Sequence, residues 1–208
     1  MTPAVRLERR EAVAVLSLAR PTVHNAFDAE MIASLTAQLQ ALEKDNAVRA
    51  VVLTGDGSTF SAGADLNWMR QMAGASEAEN RADSLRLAAL MHTLNFLGKP
   101  TIARVNGSAY GGGVGLIACC DHAIGVTTAK FALSEVKLGL VPAVISPYVM
   151  AAIGPRHARR TFVSGEVFDA AEAHRMGLLH QLVEESQLDA AVDRVLHFLA
   201  KGRTRRAA

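Results

Sequence analysis

Two short turns built of small residues could present backbone N–H groups to a ligand. One spans residues 61–65 (SAGAD) and the other spans residues 110–113 (YGGG), and each follows an apolar run and precedes a helical pattern. Turns without bulky side chains let a ligand approach the main chain closely. The helix beyond each turn adds unpaired N–H groups and a partial positive charge. Each turn could therefore donate hydrogen bonds to an anion or to a developing oxyanion.

Close packing of a helix on a sheet also selects glycine and alanine, so packing would explain one such turn. Two turns in one chain, each behind a buried strand, favour a ligand site. Nucleotide-binding patterns do not fit, because the dinucleotide fingerprint needs a glycine where Leu116 stands and the chain has no P-loop motif. A G-x-S-x-G nucleophile motif is also absent. The turns predict a site without identifying its reaction.

Glu135 is the candidate acid or base. It lies in the mainly apolar segment 131–140 (FALSEVKLGL). It is either an exposed residue at the end of an element or a partly buried general base whose pKa burial would raise, and the residues alone favour neither. The seven histidines show no metal-ligand spacing, and Cys119 and Cys120 are adjacent, so we expect no metal site.

The elements that must position these residues alternate between strands and helices along the first half of the chain. Val-, Ile- and Leu-rich runs predict strands at residues 5–9, 11–18, 49–54, 101–105, 121–126 and 180–183. Helical spacing predicts helices at residues 27–42, 77–97, 113–120, 149–153, 156–163, 170–176 and 187–199, with Asp28 as an N-cap. Helices dominate the second half, and the fold class is therefore α/β.

Composition and charge narrow the function classes. The chain has 208 residues, half of them hydrophobic and 20% charged, which fits one folded domain. The formal net charge is +2, but residues 201–208 carry four basic residues and no acid, so the rest is slightly acidic. The slightly negative net charge of the chain without this tail argues against a nucleic-acid-binding protein. No run approaches the about 20 apolar residues of a membrane helix, and we expect no membrane partner and a cytoplasmic location.

In their order along the chain, these segments resemble the crotonase superfamily, the enoyl-CoA hydratase/isomerase family. The resemblance covers roughly residues 5–185, nearly the whole chain, and its motifs are specific as an ordered set. The segments that carry it are 20–27 (RPTVHNAF), 60–66 (FSAGADL), 106–113 (NGSAYGGG), 120–124 (CDHAI) and 131–140. The resemblance implies a spiral of repeated ββα units and a homotrimer or dimer of trimers.

The resemblance also implies a role for each candidate residue. The backbone N–H groups of Ala64 and Gly112 would form an oxyanion hole for the thioester carbonyl of an acyl-CoA, and Glu135 would be the acid–base group. The residues expected to bind coenzyme A are Val23, Asn25, Ala62, Asp65, Leu66 and Gly111. Residues 68–90 and 141–150 would form the walls of the acyl pocket. No cofactor is expected, because coenzyme A belongs to the substrate.

One departure from the family pattern concerns the chemistry. Family hydratases usually carry a second glutamate where this chain has Gly115. Glu135 alone could activate water, with a different group or solvent supplying the α-proton. It could instead shuttle a proton between carbons, as in the Δ3,Δ2-enoyl-CoA isomerases of the family. A third alternative is a catalytically impaired acyl-CoA-binding homologue. Segments 61–69 (SAGADLNWM), 115–121 (GLIACCD) and 140–147 (LVPAVISP) resemble bacterial methylglutaconyl-CoA and carboxygeranoyl-CoA hydratases. Hydration of a 2-enoyl-CoA, with 3-methylglutaconyl-CoA or a related branched acyl-CoA as candidate substrate, is therefore the leading hypothesis.

The end of the chain is expected to be short for the family. We predict a crotonase-fold core at residues 1–185 and a truncated C-terminal helical segment at residues 186–208 that ends in a basic tail. Relatives continue with further C-terminal helices, and the abrupt change to KGRTRRAA is the basis of this hypothesis.

Overall fold

The computed structural model describes residues 3–201, which form alternating strands and helices. The strands are β1 (Val5–Arg10), β2 (Val13–Leu18), β3 (Ala50–Gly55), β4 (Thr59–Ser61), β5 (Thr101–Val105), β6 (Ser108–Tyr110), β7 (His122–Val126), β8 (Lys130–Ala132), β9 (Val167–Asp169) and β10 (Gln181–Val183). The helices are α1 (Ala29–Lys44), α2 (Leu66–Ala73), α3 (Glu77–Asn95), α4 (Gly112–Cys119), α5 (Ser146–Ser164), α6 (Ala170–Met176) and α7 (Leu188–Lys201). The predicted α/β class is confirmed.

The strands between residues 3 and 201 form two sheets, and successive strands of the chain join the two sheets in turn. The larger sheet has the order β1-β2-β3-β5-β7-β10 and is parallel except for the β1–β2 hairpin. The smaller sheet has the order β4-β6-β8-β9 and is parallel except for the β8–β9 pair. Three times, the chain adds one strand to each sheet and then enters a helix, which produces a spiral of ββα units. This spiral brings the turns after β4 and β6 side by side.

Burial explains why these segments form these elements. All six residues of β3 are buried, as expected for a parallel strand covered on both faces. Helix α1 buries one stripe, which consists of Met31, Ile32, Leu35, Leu39 and Leu42. Its N-cap is Asp28, as predicted, and one carboxylate oxygen accepts a hydrogen bond of 2.8 Å from the Met31 N–H.

Helix α5 contains the two helical segments that the sequence predicts at residues 149–153 and 156–163. The element Ser146–Ser164 is interrupted at Gly154, whose backbone is not helical (φ 75°, ψ 158°). Pro155 follows this kink; it has no N–H to donate and fits the first turn of the second segment. The predicted separation of the two segments is therefore confirmed.

The C-terminal part of the described chain packs on the body of the protein. Leu188, Ala191 and Val192 of α7 are buried in the same hydrophobic core as the sheets. The predicted basic tail lies mostly outside the described residues, which end at Lys201. In the described part of the chain, no helix is both long enough and apolar enough to cross a bilayer.

Candidate functional site

The two small-residue turns lie against each other. A first side-chain carbon built on Gly63 would lie 2.7 Å from the carbonyl oxygen of Tyr110 and 3.6 Å from the amide nitrogen of Gly112. A carbon built on Gly113 would lie 2.8 Å from the carbonyl oxygen of Ser61. Gly63 also has φ +81°, where side chains are strained. The close approach of the two backbones therefore requires glycine at both positions.

The N–H group of Ala64 points away from Phe27 because the two residues form an isolated parallel bridge. The Phe27 N–H donates to the carbonyl of Gly63 at 2.6 Å, and the Asp65 N–H donates to the carbonyl of Phe27 at 2.8 Å. In a parallel bridge of this kind, the residue between the two hydrogen bonds, here Ala64, directs its own N–H and C=O groups away from the partner residue. Within the described chain, the Ala64 N–H has no protein acceptor, which leaves it available to a ligand.

Gly112 supplies the second open donor. It is the first residue of α4, so its N–H has no partner within the helix. The preceding Gly111 has φ +48°, and its N–H donates to the carbonyl of Ala132 at 2.9 Å, which fixes the turn to β8. The first intrahelical bond runs from the Gly115 N–H to the Gly111 carbonyl. The partial positive charge of the helix start adds to the pull on an oxyanion.

A cavity of about 380 Å³ opens on these two donors. One wall comes from α2 and α3, through Trp68, Met69, Ser84 and Leu87, and the other comes from residues 138–145. The wall predictions of residues 68–90 and 141–150 agree with this lining. Among the described residues that line the cavity, Glu135 is the sole ionisable side chain. The cavity is therefore an apolar chamber with one acid–base group.

Glu135 lies in a 3-10 helix, Ser134–Leu138, directly after β8. Its Oε1 would lie 3.0 Å from a side-chain carbon built on Gly111, which places the carboxylate over the second turn. Its Oε2 is buried and has no hydrogen-bond partner among the described protein atoms. Burial raises the pKa of Glu135, against a smaller opposing effect from its own backbone N–H. Of the two placements considered for this residue, the structure shows the partly buried one; its role as a general base stays a prediction.

Gly115 is closed to any side chain. A carbon built on it would lie 2.4 Å from Cγ2 of Ile145 and 3.3 Å from Cε of Met91. Ile145 is 3% exposed and lines the cavity next to this glycine. The place where family hydratases usually carry a second glutamate is thus filled by an apolar side chain.

The six residues predicted to bind coenzyme A divide into two groups. Ala62, Leu66 and Gly111 line the cavity, and Leu66 is 61% exposed at its mouth. Val23, Asn25 and Asp65 are not among the described residues on the cavity wall. Val23 is 38% exposed, whereas Asn25 is fully buried.

The side chain of Asn25 supports the loop around the first turn. It accepts a bond of 3.0 Å from the Arg20 N–H and donates bonds of 2.9 Å and 2.8 Å to the carbonyls of Asp56 and Thr59. Its own carbonyl accepts a bond of 2.9 Å from the hydroxyl of Ser61. All of its amide group is therefore engaged in holding the main chain.

The carboxylate of Asp65 is also engaged within the protein. One oxygen accepts bonds from the N–H groups of Asn67 (2.8 Å) and Trp68 (3.4 Å), which caps α2, and the other contacts Arg20 at 3.0 Å. Burial acts to raise the pKa of Asp65, but these hydrogen bonds together outweigh it, and the pKa is lowered. Asp65 holds the first turn in place rather than facing the cavity.

Two residues shape the site in ways that the sequence did not predict. Phe27 was expected only at the start of the helix at residues 27–42, and Ile145 was expected in the pocket wall at residues 141–150 but not as the neighbour of Gly115. Both are apolar and buried, so only their neighbours in space distinguish them from ordinary core residues. In the described part of the chain, no three His, Cys, Asp or Glu side chains are grouped so that they could hold a metal ion.

Known proteins share this architecture and much of this sequence. Residues 8–208 match the family model described as enoyl-CoA hydratase/isomerase. The structure of an enoyl-CoA hydratase from Shewanella pealeana ATCC 700345 is similar with a TM-score of 0.93 and 43% identity, over 96% of this chain and 74% of that chain. The crotonyl-CoA hydratase of Syntrophomonas wolfei is 33% identical over 199 residues, which cover 94% of this chain and 75% of that protein. The 4-chlorobenzoyl coenzyme A dehalogenase-2 of Arthrobacter sp is 33% identical over 203 residues, which cover 96% of this chain and 73% of that protein.

The two-sheet ββα spiral, with its cavity between two backbone turns, has the crotonase fold of these structures. The chain belongs to the enoyl-CoA hydratase/isomerase family, whose members are enzymes. The predicted superfamily is therefore confirmed. The finer resemblance to methylglutaconyl-CoA and carboxygeranoyl-CoA hydratases stays a prediction. Because the relatives include a dehalogenase as well as hydratases, the reaction must be argued from the residues of the site.

Proposed function

We propose that this enzyme adds water across the 2,3 double bond of a 2-enoyl-CoA. The observation that carries the proposal is the placement of one buried carboxylate, Glu135, in an apolar cavity beside the open N–H groups of Ala64 and Gly112. A conjugated thioester fits such a site, because its carbonyl oxygen gains negative charge when a nucleophile attacks C3. The rest of the cavity wall is suited to an acyl chain.

Glu135 carries out both proton transfers in the proposed reaction. Its carboxylate takes a proton from water while the water oxygen bonds to C3, and the electrons of the double bond move onto the thioester oxygen. The Ala64 and Gly112 N–H groups hold the enolate that results. Removal of one such donor typically costs about 3–4 kcal/mol of transition-state stabilisation. Glu135 then returns the proton to C2, so the product contains all the atoms of substrate and water and the enzyme is unchanged.

Isomerisation is the second candidate, and the contact between Ile145 and Gly115 favours it. With the second carboxylate position filled by an apolar side chain, less of the site can hold a water molecule. Glu135 would then take a proton from C2 of a 3-enoyl-CoA and return it to C4, which needs no water. Both candidates use the same oxyanion donors and the same carboxylate.

One assay with mass-resolved products separates the candidates. A hydratase removes the ultraviolet absorbance of a 2-enoyl thioester and adds the mass of water, whereas an isomerase creates that absorbance from a 3-enoyl-CoA without a change of mass. The panel includes crotonyl-CoA and 3-methylglutaconyl-CoA, since the resemblance proposes branched acyl groups. Binding of acyl-CoA without turnover of any panel member would support the catalytically impaired homologue instead.

Glu135→Gln keeps the shape of the side chain and removes the base, so we expect turnover to be lost. Glu185→Gln is a matched control, because Glu185 is an exposed glutamate outside the cavity. Unchanged activity in Glu135→Gln would refute the assignment of Glu135. Activity should also fall on the acid side at a higher pH than for an ordinary glutamate, because burial raises the pKa of Glu135 and the base must be ionised.

Binding of coenzyme A and self-association complete the proposal. Ala62, Leu66 and Gly111 would contact the ligand, Val23 would lie farther out along the coenzyme, and Asn25 and Asp65 would act through the backbone they hold. We propose a homotrimer or dimer of trimers from the family resemblance, and Val136 (40%), Val163 (78%) and Val167 (54%) are exposed apolar side chains that contacts between subunits could cover. Native mass spectrometry of the full chain measures the number of subunits directly.

A further inference from the structure

Phe27 contacts both turns of the site, one through its backbone and the other through its ring. Its N–H and carbonyl groups bond to Gly63 and Asp65 on either side of Ala64, at 2.6 Å and 2.8 Å. Its ring edge lies against the other turn, since a carbon built on Gly112 would lie 2.7 Å from Cε2 and 3.1 Å from Cδ2 of the ring. One residue therefore spans the gap between the two open N–H groups.

The backbone of Phe27 is itself held tightly. The Arg20 guanidinium donates a bond of 2.7 Å to the carbonyl of Ala26 and contacts Asp28 at 3.0 Å, on the two sides of Phe27. The same guanidinium contacts Asp65 at 3.0 Å, which ties this segment to the first turn a second time. With its ends fixed in this way, Phe27 cannot follow a movement of one turn alone.

The side chain of Phe27 is packed in the hydrophobic core and also lines the cavity. Phe27 is 2% exposed and belongs to the hydrophobic core, where side chains are close-packed and small displacements are resisted. Gly112 lacks a side chain, so the ring edge meets the main chain of α4 directly at the residue that carries the second donor. The position of the ring therefore sets how closely the start of α4 approaches Ala64.

We propose that Phe27 is a positioning residue that fixes the separation of the two oxyanion donors. This inference rests on the proposed function, because it assumes that the Ala64 and Gly112 N–H groups receive the thioester oxygen. Phe27 lines the cavity but has no group that can transfer a proton. It acts by holding the two donors at one spacing, so that both can bond the same oxygen when charge develops there.

Phe27→Leu tests the proposal, because leucine keeps the backbone bonds and shortens the side chain on the Gly112 side. We expect kcat to fall by about 10²-fold, the size typical of a small misplacement of catalytic groups, with little change in KM. Phe168→Leu is the matched control: Phe168 is a buried phenylalanine, 6% exposed, in β9, where its ring stacks on Phe131 instead of on either turn. Phe27→Met serves as a second variant if Phe27→Leu does not fold.

A spectroscopic measurement separates positioning from general loss of stability. An arylacryloyl-CoA is a conjugated thioester whose absorbance moves to longer wavelength when hydrogen bonds polarise its carbonyl. We expect the wild-type chain and Phe168→Leu to shift this absorbance equally, and Phe27→Leu to shift it much less. An equal shift in all three proteins, with each shown to be folded by circular dichroism, would overturn the proposal.

Gly112→Ala gives a reciprocal test, because it leaves the N–H donor in place and adds only a methyl group. In the wild-type background, that methyl would lie 2.7 Å from the Phe27 ring, so we expect both the absorbance shift and kcat to fall. In the Phe27→Leu background the ring is gone, and the same substitution should cost much less. If the two substitutions instead act independently, so that their fold-losses multiply, the contact does not set the donor spacing.

The outcomes distinguish this inference from the proposed function. If the wild-type chain neither shifts the probe nor turns over any enoyl-CoA, the proposed function fails and the inference fails with it. If the wild-type chain does both and Phe27→Leu behaves like Phe168→Leu, the inference alone fails.

Discussion

Replacing Glu135 should stabilise the protein while it removes the activity. Its Oε2 is buried and has no hydrogen-bond partner among the described protein atoms, but the side chain as a whole is partly buried and faces the cavity. A dry polar atom left unpaired costs about 1–3 kcal/mol, and solvent in the cavity lowers that cost. Methionine is unbranched, of similar length and apolar, so Glu135→Met removes this cost and keeps the contacts of the side chain. We expect the free energy of unfolding at pH 7 to rise by up to about 1 kcal/mol, the lower end of that range. Glu135→Gln keeps a polar atom in the same place and should gain less.

The gain should depend on pH in a defined direction. Burial raises the pKa of Glu135 in the folded protein above its ordinary value of 4.5. The folded state therefore binds this proton more tightly than the unfolded state does, and the wild-type chain loses stability as the pH rises from the ordinary value through the raised one. Below the ordinary value, both states are protonated and that penalty disappears. The advantage of Glu135→Met should accordingly be largest at pH 7 and smaller near pH 4.

Urea unfolding followed by circular dichroism at pH 7 and near pH 4 measures both effects. Each kcal/mol should also raise Tm by about 2–4 °C in a chain of this size. Glu185→Gln is the control, since its exposed side chain leaves no buried atom unpaired and should give no comparable gain. The reasoning is refuted if Glu135→Met is no more stable than wild type at pH 7, or if its advantage is the same at both pH values.

Three further substitutions test the packing around the site. Gly115→Ala should lower the free energy of unfolding by about 1–3 kcal/mol, because its methyl would lie 2.4 Å from Cγ2 of Ile145. In a chain that also carries Ile145→Ala, the same methyl should cost less. Urea unfolding measures both effects, and no loss of stability in Gly115→Ala would contradict the prediction. Gly63→Ala places a side chain where φ is +81° and brings its first carbon within 2.7 Å of the Tyr110 carbonyl oxygen. We therefore expect kcat to fall at least about 10-fold in the enoyl-CoA assay. Full activity would contradict the close contact of the two turns. Asp65→Ala removes the N-cap of α2 and should cost about 1–2 kcal/mol at pH 7. Because the folded-state pKa of Asp65 is lowered, part of that cost should disappear as the pH falls below the ordinary value of 3.8, and a cost unchanged in acid would be inconsistent with a bonded carboxylate.

The larger sheet could be predicted from sequence, whereas the smaller one could not. Residues 101–105 form a strand with the predicted bounds, and residues 49–54 agree with Ala50–Gly55 within one residue, because continuous buried apolar runs give a strong signal. The strands of the smaller sheet, Thr59–Ser61, Ser108–Tyr110, Lys130–Ala132 and Val167–Asp169, have three residues each. Three residues are too few to show an alternating pattern, and their pairing depends on the spiral that brings distant segments together.

Site residues could be predicted where their residue type is unusual for its surroundings in the sequence. Gly63 and Gly111 mark backbones with positive φ, and the polar Glu135 is conspicuous in an apolar segment. The contacts that Ile145 and Phe27 make with glycines could not be predicted in this way, because each is an apolar residue among many and the glycine that it touches is far away in sequence. Only the fold shows that Ile145 fills the space beside Gly115 and that Phe27 rests on Gly112.

A single ionisable group on the cavity wall of the described chain has a stereochemical consequence. In the proposed reaction, Glu135 would reach the planar enoyl group from one side, because it is the one ionisable side chain among the described residues that line the cavity. If this one carboxyl group both activates the water and protonates C2, the new C–O and C–H bonds must form on the same face of that plane. Hydration in D2O should therefore give one diastereomer of the 3-hydroxyacyl-CoA, with deuterium at C2 added syn to the new hydroxyl, and the reverse dehydration should remove the same deuterium. Proton coupling constants between C2 and C3 would report that geometry directly.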